Sequence, residues 1–319
     1  MLEERIIRTY CQGIIRKFTK TSPLIVCPHF YELNWAYGCS FDCAYCYLKG
    51  TFRGRTQPRY VGLKYVFEAL DQAFNDYKNP DFLKPTLFNA GELADSLVEF
   101  HDPRKELRCN PPRIIQIADS FEERKKHKLL LLTKSNVVEP IIEKERKYTI
   151  ISFSINARKV WKQWEHHTPP PEKRIEAAEK ASYAGYEVRI RIDPIFPIEN
   201  WKDEYGSLID QILSKVYPER ITLGTPRGLK STLKHSKDSS WKKYLCETSA
   251  WGKKLPRMIR GEIYTFVIDK LLKQGYGKSK IALCKETRDI WFQVGLDPGK
   301  PPSSNYTPGW EVCKCNCVI

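Results

Sequence analysis

The residues Cys39-Ser-Phe-Asp-Cys43-Ala-Tyr-Cys46, followed directly by Tyr47, are the most distinctive stretch of the sequence. Three thiolates in one loop, separated by three and two residues, can hold three corners of a [4Fe–4S] cluster. Because four cysteines usually complete such a cluster, the fourth iron stays open to an outside ligand. An open iron can bind S-adenosylmethionine and reduce its sulfonium to a 5′-deoxyadenosyl radical, which is chemistry that no side chain supplies. The loop therefore predicts a radical initiator. Half of a zinc site is the alternative, although structural zinc usually takes a second ligand pair downstream.

The length and composition of the chain indicate a globular protein that binds metal. Its 319 residues suit one large α/β domain or two small ones. No run of about 18 apolar residues predicts a membrane span, and the first residues lack the layout of a signal peptide, so a cytoplasmic location away from the membrane is expected. Eleven unevenly clustered cysteines favour metal ligation over a disulfide framework in that compartment.

The net charge of +15 is concentrated in two segments. Residues 49–64 carry five basic side chains and no acid, and residues 224–260 carry ten basic side chains and two acids. The aromatic residues that interrupt the second segment are Trp241, Tyr244 and Trp251. Cationic surface with interleaved aromatic rings suits phosphate backbones and stacked bases, so a nucleic-acid partner is predicted. A merely solvated basic face is the alternative.

Short apolar runs alternate with amphipathic stretches along most of the chain. Six runs predict strands, at 29–37, 84–90, 129–134, 148–155, 186–193 and 219–223. Five stretches predict helices, near 61–78, 111–127, 137–146, 172–184 and 201–216. This alternation predicts an α/β fold with a parallel sheet, curled by right-handed crossovers into a partial (βα)6 TIM-type barrel. We expect an N-terminal extension over 1–28, the barrel over 29–223, and a basic insertion with a Cys-rich C-terminal extension over 224–319.

Several polar residues follow the second strand, and active residues of such barrels lie at the carboxyl ends of strands. Gly91 and Glu92 come first, and a carboxylate there can accept hydrogen bonds from the amino group of a bound methionine. A helix N-terminal acid is the alternative for Glu92, because the helix dipole favours one there. Asp95 can bind ribose hydroxyls or cap the same helix.

The next three strands also end in polar residues. Lys134 follows the third strand, where its ammonium can meet a methionine carboxylate or simply face solvent. Ser154 and Asn156 close the fourth strand and, being two residues apart, point to one face. The fifth strand carries three charged residues on one face, namely Arg189, Arg191 and Asp193. A polar barrel mouth explains these charges, since a core would not tolerate them. The stretch Glu165-His166-His167 is a weaker metal candidate, because adjacent loop histidines are usually solvated.

A second group of cysteines lies near the end of the sequence. Its members are Cys313, Cys315 and Cys317, with Cys284 at the end of a short apolar run. Four cysteines are enough for an auxiliary iron–sulfur cluster or a structural zinc. One of these thiols can instead donate a hydrogen atom to a substrate radical. A redox-active tail without metal is the third interpretation.

Over about residues 29–215 the chain resembles the spore photoproduct lyase-like family of radical S-adenosylmethionine enzymes. The motifs that carry the resemblance are the cysteine loop with its ending Tyr45-Cys46-Tyr47-Leu48, Phe88-Asn-Ala with Asp95, Thr133-Lys134, Phe153-Ser154-Ile155-Asn156 with Arg158, Ala184-Gly185-Tyr186, Pro194-Ile195 and Trp201. The resemblance implies a partial (βα)6 barrel and hydrogen abstraction from a nucleic acid, as in DNA lesion repair. It also implies an electron donor such as ferredoxin or flavodoxin, a hydrogen-atom relay at Tyr47, and S-adenosylmethionine contacts at Tyr45, Asp95, Lys134 and Ser154.

The chain departs from the family at one place that concerns the reaction. The family has a hydrogen-donating cysteine on the loop after the second strand, where this sequence has Glu92. The cysteines of 313–317 have no counterpart that we can match, and Cys317 is the candidate to replace the missing donor. Two other functions therefore stay open: a radical enzyme acting on a peptide or small metabolite with an auxiliary C-terminal cluster, and a non-catalytic, zinc-stabilised nucleic-acid-binding module.

Overall fold

The computed structural model describes residues 13–19, 21–22, 24–300 and 314–319. One eight-stranded sheet organises them, with its strands side by side in chain order. These strands are β1 (Ile15–Phe18), β2 (Phe30–Leu33), β3 (Leu87–Asn89), β4 (Lys128–Thr133), β5 (Thr149–Ser154), β6 (Glu187–Ile192), β7 (Arg220–Leu223) and β8 (Ile281–Leu283). β1 runs antiparallel to β2, and every later neighbour pair is parallel. The predicted α/β fold with a largely parallel sheet is therefore confirmed.

The six predicted strands correspond to β2–β7. The central strands are buried on both faces, which explains why β4 and β5 read as continuous apolar runs rather than as alternating ones. The two edge strands, β1 and β8, come from the segments on either side of 29–223. The division of the chain into a barrel and two extensions remains a prediction.

Helices connect the parallel strands and cover the sheet. The longer ones are α1 (Leu63–Phe74), α2 (Arg113–Arg124), α3 (Pro171–Tyr183), α4 (Trp201–Lys215) and α5 (Arg257–Lys273). Short α-helices span Leu48–Thr51, Val98–His101, Glu139–Ile142, Arg158–Trp164, Lys230–His235 and Arg288–Gln293, and 3-10 turns span Pro80–Phe82, Lys105–Leu107, Ser240–Tyr244 and Lys278–Lys280. Two-residue and three-residue strands pair outside the main sheet, namely Ile25–Val26 with Glu286–Thr287, Ala36–Tyr37 with Arg59–Tyr60, Asp42–Cys43 with Glu165–His166, and Glu247–Ser249 with Gly252–Lys254. No helix in the described ranges is long and apolar enough to cross a membrane.

The carboxyl ends of neighbouring strands approach each other closely at Gly91, just after β3. A Cβ atom on Gly91 would lie 2.6 Å from the Cβ atom of Leu132 in β4 and 2.9 Å from the Leu132 carbonyl oxygen. Such distances are far inside van der Waals contact, so only glycine fits between the two strands. Gly206 in α4 has room, because its Cβ would meet only the Phe266 ring, at 3.9 Å.

We predict opposite effects of alanine at these two glycines. Gly91→Ala should lower the free energy of unfolding by about 1–3 kcal/mol, since it overpacks two strands. Gly206→Ala should raise it by about 0.5–1 kcal/mol, since alanine favours the helix and restricts the unfolded chain. Thermal unfolding midpoints measured side by side test this, and shifts in the same direction would contradict the close packing at Gly91.

Candidate functional site

A cavity of about 520 Å³ opens at the carboxyl ends of the parallel strands. This volume is in the usual range for small-molecule and cofactor sites. Predicted site residues from distant parts of the sequence line it together: Cys39, Cys43, Tyr45, Cys46, Tyr47, Gly91, Glu92, Asp95, Lys134, Ser154, Cys284, Cys315 and Cys317. Asn156 is not among the lining residues, and Cys313 is outside the described residues. The fold thus brings nearly all of the candidates to one place.

The cysteine loop forms one wall of this cavity and is held by backbone hydrogen bonds. Asp42–Cys43 pairs antiparallel with Glu165–His166. The backbone N–H of Cys39 donates to the carbonyl oxygen of Thr56 at 2.7 Å. The short helix Leu48–Thr51 starts just beyond the third cysteine. Because the backbone is held at several points, the three thiols have a defined orientation toward the cavity.

The three loop cysteines fit a polynuclear cluster better than a single metal ion. All three are free thiols. Within the described ranges no three His, Cys, Asp or Glu side chains converge as they would around one ion. A cluster places each thiolate on its own iron, so its ligands need not converge. Burial raises the pKa of the thiols of Cys39, Cys43 and Cys46, so assembly of a cluster must release protons.

A buried carboxylate, Glu165, holds the wall beside the loop. Its side chain is fully buried and accepts a hydrogen bond from the hydroxyl of Tyr45. Two cations reach it, the Arg174 guanidinium at 2.6 Å and the Lys134 ammonium at 3.0 Å. Burial alone would raise the pKa of Glu165, but the charges of Arg174 and Lys134 outweigh it and hold the pKa at about 2. Glu165 is therefore a fixed anion that binds two cations.

Lys134 and Ser154 are in direct contact at the ends of β4 and β5. The Lys134 ammonium donates to the Ser154 hydroxyl at 2.7 Å. The Ser154 carbonyl oxygen accepts from Arg174 at 3.0 Å. The ammonium therefore has a fixed position between Ser154 and Glu165, on the cavity wall. The proposed contact of this ammonium with a methionine carboxylate stays a prediction.

Asp95 joins the segment after β3 to the end of β4. Its carboxylate accepts from the Thr133 hydroxyl and the Lys134 backbone N–H, each at 2.7 Å. It also accepts from the Leu97 N–H at 2.9 Å, just before the helix Val98–His101, and faces His101 Nε2 at 3.5 Å. These contacts fix the Asp95 carboxylate just before that helix, whose N-cap residue is Leu97. A ribose contact at Asp95 stays a prediction.

Tyr47 and Glu92 meet inside the cavity. The Tyr47 hydroxyl donates to the Glu92 carboxylate at 2.7 Å. Burial, followed by the negative charge of Glu92, raises the pKa of Tyr47 well above its usual value, so the phenol keeps its hydrogen. Glu92 thus occupies its place on the loop after β3 as a hydrogen-bond partner of Tyr47.

Asn156 has a different environment from the other predicted residues. Its side chain is buried, donates to the Pro194 carbonyl oxygen at 2.8 Å and accepts from the Tyr205 hydroxyl at 2.9 Å. These contacts place it behind the cavity wall, where it supports the turn after β6. Its predicted role in cofactor binding is still a prediction.

The expectation of a polar mouth holds for two of the three charged residues of β6. Arg191 and Asp193 line the cavity, and Asp193 forms a two-point ion pair with Arg227, with both distances 2.7 Å. Arg189 is buried and does not line it; its guanidinium instead reaches residues 316 and 318. Arg191 and Asp193 therefore face the cavity, whereas Arg189 binds the backbone of residues 316 and 318.

The sequence did not single out several residues that shape the site. Glu165 was considered only with its histidine neighbours, and Arg174 and Arg227 were not considered. Arg174 offers one usable signal, because it lies beside Ile175, Ala177 and Ala178 on the buried side of α3. An arginine among such neighbours requires a buried partner.

Aromatic rings and cations form the rim of the cavity. Phe18 and Phe30 stack with their centroids 4.9 Å apart. The Lys285 ammonium lies 3.8 Å from the centroid of the Phe18 ring and 4.7 Å from that of Trp251. All four residues line the cavity. This combination suits flat, anionic ligands.

The two basic segments of the sequence are in contact. The Ser231 hydroxyl donates to the Gly50 carbonyl oxygen at 2.8 Å, which joins the helices Leu48–Thr51 and Lys230–His235. Some of the basic residues have internal partners, such as Lys254 with Glu286 at 3.0 Å. The basic side chains of these segments that are exposed are Arg53, Arg55, Arg59, Lys64, Lys230, Lys234, Lys237, Lys243, Lys253 and Arg257.

We predict that Glu165→Gln lowers the free energy of unfolding by about 3–5 kcal/mol. The reason is that the fully buried Arg174 would lose its counter-charge. Glu172→Gln is the control, because Glu172 forms a largely exposed pair with Arg158 and should cost less than about 1 kcal/mol. Urea unfolding under anaerobic conditions measures both, and equal effects would contradict the role given to Glu165.

The stabilisation of the fold by the Glu165–Arg174 ion pair depends on pH in a predictable direction. Because the pKa of Glu165 is depressed on folding, its stabilisation is complete above the ordinary value of 4.5 and is lost as the pH falls toward about 2. The difference in stability between the wild type and Glu165→Gln should therefore shrink as the pH is lowered from 4.5. A difference that grows over this interval would contradict the ion pair.

Comparison with known proteins gives one family for most of the chain. The model of the family described as spore photoproduct lyase matches residues 13–224. Spore photoproduct lyase of Bacillus subtilis (strain 168) is 32% identical over 184 residues, which cover 57% of this chain and 50% of the relative. The Clostridium acetobutylicum protein of the same name is 28% identical over 190 residues, 58% of this chain and 52% of the relative. The chain thus spans about half the length of the curated relatives it matches.

Solved structures share the fold. Spore photoproduct lyase complexed with dinucleoside spore photoproduct superimposes with a TM-score of 0.64 at 20% identity, covering 79% of this chain and 75% of that one. Streptococcus suis SuiB bound to its precursor peptide SuiA gives 0.54 at 15% identity, covering 82% and 49%. The second likeness shows the fold alone. With the family match extending over the cysteine loop and the strand ends that face it, this chain belongs to the spore photoproduct lyase family of radical S-adenosylmethionine enzymes.

Proposed function

We propose that this protein binds a [4Fe–4S] cluster and S-adenosylmethionine in the cavity and abstracts hydrogen from a nucleic acid. The observation that carries the proposal is that Cys39, Cys43 and Cys46 face the same cavity as Lys134 and Tyr47. When bound, the cluster supplies the electron that cleaves S-adenosylmethionine to a 5′-deoxyadenosyl radical. A solved spore photoproduct lyase mutant with bound AdoMet supports the choice of cofactor.

Different residues of the cavity contact different parts of the bound S-adenosylmethionine. The Lys134 ammonium, fixed by Ser154 and Glu165, provides a positive charge for the carboxylate of the methionine moiety. Tyr45 lies beside it, with its ring centroid 5.8 Å from the ammonium. Gly91 lets the backbone after β3 pack closely against Leu132 of β4, which fixes the backbone that lines this part of the cavity. Apolar residues such as Leu132 line this end of the cavity.

We propose a DNA lesion built on two linked pyrimidine bases as the substrate class. The rim suits this substrate, since it combines the aromatic rings of Phe18 and Trp251 with the positive charge of the Lys285 ammonium, which lies against both rings and can meet a phosphate. The exposed basic side chains of 49–64 and 224–260 extend the cationic surface over two adjoining helices. Related lyases have been solved with dinucleoside spore photoproduct, which supports this choice.

The first test is metal content and cofactor cleavage. Purified without oxygen, the wild type should be brown and hold about four irons per loop-bound cluster. It should also convert S-adenosylmethionine to 5′-deoxyadenosine when reduced with dithionite. The triple change Cys39→Ala, Cys43→Ala, Cys46→Ala should abolish both properties, whereas Cys246→Ala, at an exposed thiol, should preserve both. A folded wild type with zinc and no iron would contradict the proposal and favour a zinc-stabilised binding module.

The second test concerns the nucleic acid. Affinity for a labelled single-stranded DNA oligonucleotide should fall with salt, with a slope of about −0.7 per phosphate contacted. Lys230→Gln with Lys234→Gln should make that slope shallower by about 0.7 per lost contact. Lys273→Gln, an exposed lysine outside both basic segments, should leave the slope unchanged. Binding that is independent of salt would contradict the nucleic-acid substrate and favour a peptide or small metabolite.

A further inference from the structure

The segment 314–319 is inserted against the strands that form the cavity, and Asn316 anchors it. The Asn316 side chain is fully buried and donates to the Ser152 hydroxyl at 2.8 Å and to the Ile190 carbonyl oxygen at 2.9 Å. Its side-chain oxygen accepts from the Thr222 hydroxyl at 2.8 Å, and its backbone N–H donates to the same hydroxyl oxygen at 3.0 Å. The amide thus has partners on β5, β6 and β7.

Two arginines hold the backbone of the same segment. Arg189 on β6 donates to the Asn316 carbonyl oxygen at 2.9 Å and to that of Val318 at 2.5 Å. Arg220 on β7 donates to the Cys315 carbonyl oxygen at 3.2 Å and to that of Val318 at 2.6 Å. Both arginines are nearly fully buried. Because buried guanidinium groups need acceptors, this arrangement binds 314–319 at one defined position.

The anchored segment places Cys317 on the cavity wall. Only 6% of the surface of Cys317 is exposed, and the residue lines the cavity together with Tyr47 and Glu92. Arg191 Nη2 lies 3.2 Å from the Cys317 sulfur, and Cys315 forms a hydrogen bond with the same sulfur. The negative charge of Glu92, which binds Tyr47, acts on Arg191. These residues line one cavity, in which Tyr47 contacts Glu92 and Arg191 contacts Cys317.

We propose that the segment 314–319 is a built-in part of the active site, and that Cys317 donates a hydrogen atom to the substrate radical. This proposal rests on the radical function proposed above. Glu92, on the loop after β3, has no weak bond to hydrogen that a carbon radical can break. A thiol has one. Asn316, Arg189 and Arg220 are positioning residues, since they act through the segment they hold.

The transfer balances in hydrogen atoms and electrons. The S–H bond of Cys317 breaks and a C–H bond forms on the substrate, so the substrate radical is reduced and the sulfur becomes a thiyl radical. The Tyr47 hydroxyl returns a hydrogen atom to the sulfur, and the resulting tyrosyl radical takes one from the methyl group of 5′-deoxyadenosine, which regenerates the 5′-deoxyadenosyl radical. The hydrogen atom that the 5′-deoxyadenosyl radical removes from the substrate is thereby replaced, and the transfer needs no outside reductant.

The geometry favours a thiol over a ligand of an auxiliary cluster at this position. Arg191 occupies one side of the Cys317 sulfur. An auxiliary cluster is therefore an outcome that the test must be able to reveal.

The test uses dinucleoside spore photoproduct, the compound solved in complex with a related lyase, as the probe. Reduced enzyme is incubated with this compound, S-adenosylmethionine and dithionite in D2O, where thiol hydrogens exchange for deuterium, and the deuterium content of the pyrimidine product is measured. The product is the readout because the proposed step transfers hydrogen from Cys317 to the substrate radical. We expect deuterium in the wild-type product, a loss of at least half of it in Cys317→Ser, and wild-type levels in Cys109→Ser and Cys246→Ser, which change thiols that do not line the cavity. Iron content is measured on the same samples and should be unchanged in Cys317→Ser.

Each outcome bears on one proposal or on both. No cleavage of S-adenosylmethionine by the wild type would overturn the radical function and the donor together. Cleavage with no pyrimidine product, or with equal deuterium in the pyrimidine product of the wild type and Cys317→Ser, would overturn the donor alone. A loss of about half the iron in Cys317→Ser would overturn it in favour of an auxiliary cluster.

A second measurement tests the anchoring without any reaction. Alkylation of Cys317 by iodoacetamide, followed by mass spectrometry of the iron-free protein, should be slow in the wild type. Asn316→Ala should accelerate it at least tenfold, because the segment loses its contacts to β5, β6 and β7. Asn75→Ala, which changes an asparagine at the end of α1, should leave the rate unchanged. Equal rates in all three proteins would overturn the anchoring.

Discussion

The buried carboxylate of Glu165 is the interaction on which the rest of the site depends. Its strand pairs with the backbone of the cysteine loop, while its side chain binds Lys134 from β4, Arg174 from α3 and Tyr45 from the loop itself. A single anion therefore links the loop that would hold the cluster to the strand ends that would hold its ligand. The low pKa of Glu165, about 2, keeps that anion charged at neutral and mildly acidic pH.

The opposite wall is built differently, from a segment that is remote in the sequence. Residues 314–319 are bound by buried hydrogen-bonding groups of three central strands, and this brings two thiols to the cavity. The strands thus serve both as the scaffold of the cavity and as the binding site for one of its walls. This double role explains why β6 carries Arg189 as well as Arg191, with only the second facing the cavity.

The sequence predicted the features that are local and missed those that join distant residues. The strands β2–β7 follow from short apolar runs, and the cysteine loop from spacing alone, because both patterns lie within a few residues. Glu165 and Arg174 could not be paired from the sequence, since neither residue shows its partner. The contact of Arg189 with Asn316 spans 127 residues. The edge strand β8 read only as a short apolar run, because three residues carry little periodicity.

The structure also changes the meaning of several predicted residues. Asp95 has hydrogen bonds to Thr133 and Lys134, and Asn156 supports the turn after β6, so both residues shape the cavity wall. Glu92 meets Tyr47, a contact that the sequence did not suggest. Each of these residues lies at the strand end where the sequence predicted it. Its hydrogen-bond partner could not be predicted, because it comes from a distant part of the sequence.

The central claim is that the loop of Cys39, Cys43 and Cys46 holds a cluster with one iron open to S-adenosylmethionine. Electron paramagnetic resonance of the reduced protein, recorded with and without S-adenosylmethionine, tests this most directly. The account predicts the signal of a reduced [4Fe–4S] cluster that changes on addition of S-adenosylmethionine and disappears when the three cysteines are replaced by alanine. A folded protein without such a signal, or a signal that S-adenosylmethionine leaves unchanged, would contradict it.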